Sequence, residues 1–187
     1  MRKILLLILL VGGGYWAYQR QAGAEAPGAR LSFPTAVAWK HVPSTTAKVI
    51  ETAAILDGRW RVEIIAGGRS PMVAVFDGTS FASTHPKATA QQLDPRTTLQ
   101  QLYASLPPTA GVPIERVGTS DCWHFTEIKA ATAAEVWVDT KTHFPRKVSG
   151  RGNGLDTTDT YELLPIDTKA EAKRLFDTKN LQVTLSR

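Results

Sequence analysis

Short alternations of apolar and polar residues, each closed by a tight-turn signal, constrain the fold of this chain more than any other feature. In residues 59–65, RWRVEII, every second side chain is apolar, and these side chains share one face of a strand. The intervening Arg61 and Glu63 point to the other face, as in a half-buried strand. Residues 57–58 and 77–78 are both Asp-Gly, a pair typical of hairpin turns. The pattern predicts a meander of antiparallel strands.

The same type of pattern recurs along most of the chain. Each segment is short, rich in β-branched or aromatic residues, and bounded by glycine, proline or aspartate. The short connections between successive segments favour antiparallel pairing. The predicted strands are residues 46–56, 59–65, 71–76, 80–84, 113–119, 122–128, 134–140, 144–150 and 156–164.

One clear helix interrupts the strands. Asp94 is a suitable N-cap, and Pro95 fits the first helical position, where its missing amide hydrogen costs nothing. Asp167 is a suitable cap for a second short helix over residues 168–176. The order of elements predicts an α+β fold, a curved antiparallel sheet with one or two helices packed on its concave face. The apolar stripe that must cover the sheet comprises Leu99, Leu102, Tyr103 and Leu106.

Residues 134–150 predict a hairpin with apolar side chains on both faces. Val136 and Val138 point to one face, whereas Trp137 points to the other, and Asp139 can bond the amides of the turn that follows. Proline has no amide hydrogen, so the strand of residues 144–150 should either lie at an edge or begin at its proline. A tryptophan on the second face favours a strongly curved sheet with an incompletely covered concave face.

A basic start, a short apolar run and a small-residue site predict an export signal. Arg2 and Lys3 precede the apolar residues 4–18, and residues 22–24, Ala-Gly-Ala, suit signal peptidase. The apolar stretch of 15 residues is shorter than the ~20 that cross a bilayer, which favours cleavage after Ala24. An uncleaved membrane anchor is the alternative, because the stretch ends in aromatic residues that suit the membrane interface. In either case we expect the chain outside the cytoplasm, in the periplasm or cell envelope, secreted or anchored.

The basic charge of the chain is concentrated in this export segment. The whole chain carries 22 basic and 17 acidic residues, a net charge of +5, and residues 25–187 alone carry +2. No basic stripe remains, so nucleic acid is not an expected partner. We assign residues 1–24 to a signal peptide or N-terminal anchor, 25–45 to a linker and first segment, and 46–187 to one β-domain that we expect to be monomeric.

Cysteine and histidine supply the candidate catalytic and metal-binding groups. Cys122 and His124 lie two apart on a predicted strand, so both point to one face, as a Cys–His dyad requires. The alternative, which we prefer, is that these two residues are ordinary half-buried positions of a strand. The four histidines lack metal-ligand spacing, and a lone cysteine cannot form an internal disulfide. We therefore predict a non-catalytic protein with no metal and no cofactor.

Several of these segments resemble one known family. VWVDTKTHFPRKV, residues 136–148, resembles the hairpin of the LolA/LolB/RseB-like periplasmic proteins and their outer-membrane-lipoprotein-sorting relatives. GRWRVEI, VAVFDGTSFAS, ERVGTSDCWHF and TYELLPIDTKAEAKRLFDTKN are similar, in that order, to other strands of the family, and the likeness covers residues 46–180. The resemblance implies a half-open antiparallel β-barrel, plugged by helices, with an apolar cavity that can hold acyl chains.

The chain departs from the family's pattern at two places. The helix expected before the first strand is not evident in residues 31–45, LSFPTAVAWKHVPST. His143 stands where the family has glycine, and histidine is among the non-glycine residues enriched at positive φ. We therefore predict a positive φ at His143.

The resemblance implies an extracytoplasmic binding protein for acyl chains of lipids or lipoproteins. A membrane-anchored sensor or regulatory domain that binds another envelope protein is the alternative, and an uncleaved N-terminus that contacts the membrane would favour it. We expect the helix to lie over the strand of residues 59–65, with an apolar pocket between them. The candidate ligand-binding residues are Trp60, Val62, Ile64, Leu99, Leu102, Tyr103, Trp123, Phe125 and Trp137, although for the helix stripe a core role is the alternative that we prefer.

Overall fold

Ten strands and two short helices make up the described parts of the computed structural model, which are residues 29–44, 49–67, 69–126, 128, 134–152, 155–165, 174–179 and 181. The strands are β1 (Ala36–Val42), β2 (Val49–Leu56), β3 (Arg59–Ala66), β4 (Met72–Phe76), β5 (Phe81–Ser83), β6 (Ile114–Val117), β7 (Ser120–Phe125), β8 (Glu135–Asp139), β9 (Pro145–Gly152) and β10 (Leu155–Leu164), and the helices are α1 (Ala90–Leu93) and α2 (Arg96–Ser105). The expected export segment and most of the expected second helix lie outside the described residues.

All ten strands belong to one sheet, in the order β5-β4-β3-β2-β1-β10-β9-β8-β7-β6. Each neighbouring pair is antiparallel, and β5 and β6 are the two edges, so the sheet is not closed. This confirms an α+β fold built on an antiparallel sheet. Strand β1 was not predicted, although it lies in the middle of the sheet between β2 and β10.

One face of the sheet, called the inner face here, carries the main core. Helix α2 packs on it through the predicted stripe, and Leu99, Leu102 and Tyr103 are 4–7% exposed. The period-2 alternation of the strands supplies the other half of this core. Its largest sheet residues are Trp39, Ile55, Trp60, Val62, Phe125, Val136 and Val138.

The start of α2 lies one residue later than predicted, since Pro95 and not Asp94 is its N-cap. The carboxylate of Asp94 accepts a hydrogen bond from the Arg96 amide at 2.9 Å, and Pro95 already has helical backbone angles. Leu106 ends the helix with its amide on the Tyr103 carbonyl. Helix α1 was not predicted, because a single turn held by a Thr89–Gln92 capping box is too short to show a period.

The opposite face of the sheet, called the outer face here, differs from one expectation. Arg61 and Glu63 do lie on it, but they are 0% and 4% exposed instead of facing solvent. Arg61 donates to Glu63 at 2.9 Å and to the backbone carbonyls of Leu175 and Leu181 at 3.3 Å each. The C-terminal segment, with Leu175 and Phe176 against β1 and β2, therefore covers this part of the sheet. Local alternation cannot reveal such a cover, because it comes from a distant part of the chain.

The β8–β9 turn confirms two predictions. His143 has a φ of 55°, in the left-handed region. The Asp139 carboxylate accepts hydrogen bonds from the amides of Lys141 and Thr142, both at 2.9 Å. Pro145 is the first residue of β9, and β9 is an interior strand of the sheet. The expectation that this strand begins at its proline is therefore confirmed, and the alternative that it lies at an edge is wrong.

Asp139 is the electrostatic centre of this turn. Burial by itself would raise the pKa of its carboxyl, but hydrogen bonds from the turn amides, the Ser120 hydroxyl and the Arg146 guanidinium lower the pKa from 3.8 to about 2. The Arg146 Nε lies 3.1 Å from the carboxylate. The ionised carboxylate therefore stabilises the folded turn.

We expect Asp139→Asn to lower the free energy of unfolding at pH 7 by about 2 kcal/mol, the value of a pKa shift of this size. Because the pKa is lower in the folded chain, the carboxylate's stabilisation is present above the unfolded-state pKa and is lost as the pH falls from about 4 towards 2. Urea unfolding at pH 7 and at pH 3 measures both effects. The exposed Asp121→Asn is the matched control and should change stability little at either pH. Equal deficits of Asp139→Asn at the two pH values would contradict this account.

Candidate functional site

A cavity of about 210 Å³ lies between the inner face and the start of α2. Its apolar wall includes Val62 and Ile64 of β3, Leu93 of α1 and Leu99 of α2. Its other wall is more polar and is formed by side chains of β1, β2 and β10. The expected pocket between helix and strands is therefore present, with a mixed instead of a purely apolar lining.

Strand register brings the polar residues of the cavity together. His41 of β1 lies directly opposite Glu51 of β2 on one side and Tyr161 of β10 on the other. Glu51 in turn lies opposite Ile64 of β3, so these residues form one row across four strands. Residues opposite one another in a sheet point to the same face, so the whole row faces the cavity. In the next row Trp39 of β1 lies opposite Ala53 of β2.

The titratable groups of this row are partly buried. Burial raises the pKa of Glu51, and the charge of His41 and the indole of Trp39 offset only part of this effect. Burial also raises the pKa of the Tyr161 phenol. The His41 ring stacks on Tyr161 at 4.7 Å between centroids, and its Nε2 lies 3.6 Å from the carboxylate of Asp159.

The hydrogen bonding of the Trp39 indole is the least expected feature of the cavity. Its side chain is 0% exposed, and its Nε1–H makes no hydrogen bond of normal geometry. The Glu51 carboxyl lies close enough for this N–H to lower the carboxyl's pKa. Buried N–H groups in proteins are nearly always paired, and the Glu51 carboxyl is the acceptor that this one faces.

The predicted ligand-binding residues divide into three groups. Val62, Ile64 and Leu99 line the cavity. Five others belong to the inner-face core or pack against it, namely Trp60, Leu102, Tyr103, Trp123 and Phe125. Trp137 lies on the outer face and does not share this cavity, since it belongs to the alternate set of β8 side chains.

The sheet residues of the polar wall were not predicted as site residues, and these are Trp39, His41, Glu51 and Tyr161. The alternation in AVAWKHV, residues 36–42, would have placed Trp39 and His41 on one face. Their meeting with Glu51 and Tyr161 depends on strand register, which no local pattern contains.

The outer face has a second, wider cavity of about 460 Å³, with a largely polar lining. Trp137 forms its floor, with the His124 ring stacked on the indole at 4.2 Å and the Lys147 ammonium 4.1 Å from the ring centroid. The indole N–H donates to Glu115 at 2.9 Å. Since both faces of the indole are already occupied, this tryptophan is not free to stack on a ligand.

The Cys122–His124 pair lacks the features of a nucleophilic dyad. Cys122 is 0% exposed, and burial, with a smaller effect of the Asp139 charge, raises the pKa of its thiol to about 11. His124 directs Nδ1 to Glu115 at 2.9 Å. A thiol with this pKa is protonated at neutral pH and is a poor nucleophile. Across the residues that the structure describes, no three His, Cys, Asp or Glu side chains are placed to hold a metal ion.

No protein family matches the chain, and no curated protein matches its sequence. Within the described ranges, no helix combines the length and apolar character that crossing a bilayer requires. The cavity under α2 is therefore the feature from which a function is inferred.

The helix stripe provides a test of the cavity itself. Leu102→Ala is expected to lower the free energy of unfolding by ~2–5 kcal/mol, because Leu102 is enclosed in the core. Leu99→Ala should cost less, because Leu99 already borders the cavity and loses fewer contacts. Urea unfolding of both variants gives the comparison. If Leu99→Ala cost as much as Leu102→Ala, the void beside Leu99 would be absent in solution.

Proposed function

We propose that this chain is a non-catalytic, extracytoplasmic binding protein for acyl chains of lipids or lipoproteins. The acyl chain enters the cavity between α2 and the inner face, and this face is the concave side of a curved, half-open barrel. Residues 1–24 direct the chain out of the cytoplasm, either as a cleaved signal peptide or as an anchor. The single observation that carries the proposal is the cavity beneath the apolar stripe of α2.

The size of the cavity matches a short stretch of acyl chain. A dry protein cavity of about 150 Å³ is large enough for benzene. A cavity of about 210 Å³ therefore has room for roughly six to eight carbons of one chain. A longer chain would extend through the opening of the cavity towards solvent or towards the rest of the ligand.

The energetics favour reversible binding. Each methylene removed from water contributes ~0.8 kcal/mol, so six methylenes contribute about 5 kcal/mol before the costs of ordering the ligand. Taken alone, this gain would correspond to a Kd on the order of 0.1–1 mM for one short chain, and the ordering costs make the net affinity weaker. Affinity at this level suits a protein that must both take up and release its ligand.

The cavity lies between the sheet and the start of α2, and this position also suits exchange of the ligand. Helix α2 follows α1 after only two residues, and both line the cavity from one side. Arg96 fixes the start of α2 by bonding Asp94 at 2.6 Å and the Gly58 carbonyl of the β2–β3 turn at 3.3 Å. These contacts hold the helix start over the sheet while leaving a space beneath it.

A pair of adjacent substitutions tests the proposal. Ile64→Phe places a larger side chain in the cavity, whereas Ile65→Phe makes the same change on the outer face, where Ile65 is 36% exposed. Native mass spectrometry of the full chain purified from membranes should show bound lipid for the parent and for Ile65→Phe. We expect Ile64→Phe to carry several-fold less lipid, because the added ring occupies the binding space.

Two results would overturn this function. One is a parent chain that carries no lipid and takes up none from vesicles. The other is an Ile64→Phe variant that carries as much lipid as Ile65→Phe, which would place the lipid elsewhere on the protein. A lipid-free chain that copurifies with an envelope protein would favour the sensor or regulatory role instead.

A further inference from the structure

Strand β6 is an edge of the sheet, and part of its backbone faces away from its one neighbour. The amide of His124 donates to the Pro113 carbonyl at 2.8 Å, and bonded pairs alternate along an antiparallel ladder, so the next bonded pair of β6 and β7 begins at Glu115. Ile114 and Arg116 are the alternate residues, and their amides and carbonyls point away from β7. No other described strand lies on that side of β6. The backbone groups of Ile114 and Arg116 therefore line the edge.

This edge lacks the features that usually prevent the addition of a strand. Sheets protect their edges with bulges, prolines or charged side chains that point across the edge. The pairing of β6 with β7 has no register shift, and no proline lies within Ile114–Val117. The carboxylate of Glu115 is bonded on the outer face to the Trp137 indole and the His124 ring, at 2.9 Å each, so it does not guard the edge. The backbone of β6 is therefore open to pairing with a further strand.

The inner-face side chains of β6 indicate what a partner strand would carry. Ile114 is 62% exposed, more than any other large apolar side chain of the described residues, and it lies opposite the half-buried Trp123 of β7. An apolar residue of a partner strand would cover Ile114 and extend this apolar row by one strand. Arg116 is exposed and forms no ion pair with another described residue. An acidic residue of the partner strand, placed opposite Arg116, would supply the missing charge.

A second copy of this chain is a poor partner for the edge. Antiparallel pairing of β6 with itself, using the outward backbone groups, has its two-fold axis at Glu115, at Arg116 or at Ile114. An axis at Glu115 or at Arg116 places that residue opposite its own copy, and like charges directly opposite are destabilising. An axis at Ile114 places Arg116 opposite Val112, whose amide is already bonded to the Thr109 carbonyl. A strand from a different protein, whose charges can complement those of β6, is the better occupant.

We propose that β6 is a docking edge for another protein, which adds an extended segment antiparallel to it. The segment places an acidic residue opposite Arg116 and an apolar residue opposite Ile114, so its sequence reads acidic, any residue, apolar. Antiparallel pairing continues the sheet, in which every neighbouring pair of strands is antiparallel. Backbone hydrogen bonds hold the segment, and the two side chains select it. No residue that lines the cavity under α2 belongs to β6 or β7, so docking does not depend on the acyl-binding function.

Titration of the ¹⁵N-labelled full chain with two synthetic peptides tests this docking edge. Acetyl-STEKVTS-amide carries the proposed pattern and places its lysine opposite Glu115, whereas acetyl-STKKVTS-amide has a lysine in place of the acidic residue. We expect the first peptide to bind about threefold to tenfold more tightly, because its carboxylate attracts Arg116 and the lysine repels it. At saturation the amide hydrogens of Ile114 and Arg116 should exchange more slowly with solvent. The amide of Glu115, which already pairs with β7, should change little.

Two pairs of variants assign binding to the named residues. Arg116→Glu should reverse the preference between the peptides, whereas Arg69→Glu, the same charge change at an exposed residue outside β6, should leave it unchanged. Ile114→Pro removes an outward amide that the pairing with β7 does not use. It should bind acetyl-STEKVTS-amide about threefold or more less tightly than Ile114→Thr, which also loses the isoleucine side chain but keeps the amide. Near-ultraviolet circular dichroism checks that each variant is folded.

Several results would overturn the docking edge. These are a peptide of the proposed pattern that shifts no amide signal of β6, equal binding of the two peptides by the parent chain, and equal binding by Ile114→Pro and Ile114→Thr. Sedimentation equilibrium of the peptide-free chain examines the other occupant. A parent dimer that Ile114→Pro dissociates would assign the edge to a second copy and would also overturn the proposal. Bound lipid is measured separately, so the docking edge and the acyl-binding function can fail independently.

Discussion

The pairing of β1 with β10 is the interaction on which the rest of the structure depends. Strands β2–β5 form a meander on one side of it and β6–β9 a meander on the other, and β1 and β10 join the two into one sheet. The register of this central region places His41 between Glu51 and Tyr161. The same register carries Trp39 into the core, so both the sheet and its cavity follow from one pairing.

Coverage of the two faces explains why the central strands are apolar on both sides. Helix α2 covers the inner face, and Leu175 and Phe176 pack on the outer face of β1 and β2. Arg61 lies under this second cover, where its hydrogen bonds to Glu63 and to backbone carbonyls compensate for the loss of water. Because Arg61 also donates to the Leu175 carbonyl, its guanidinium couples the C-terminal segment to β3.

Local sequence patterns predicted most of the strands and the longer helix. They did not predict the features that depend on contacts between distant parts of the chain. The strand at RWRVEII, the helix that follows Asp94-Pro95 and the positive φ of His143 all depend on local sequence, and all three are confirmed. Strand β1 was missed, although the alternation in its residues places Trp39 and His41 on one face. The burial of Arg61 and the row containing Glu51 were missed because each needs a partner from far along the chain.

The central claim is that a ligand enters the cavity beside Trp39 and not the groove beside Trp137. The most direct measurement is the indole N–H signal of each tryptophan in the ¹⁵N-labelled full chain during titration with 1-hexanoylglycerol. We expect the Trp39 signal to shift as the acyl chain fills the cavity that the Trp39 side chain lines, while the signal of Trp137, which is bonded to Glu115, stays in place. A shift at Trp137 with no change at Trp39 would contradict the account.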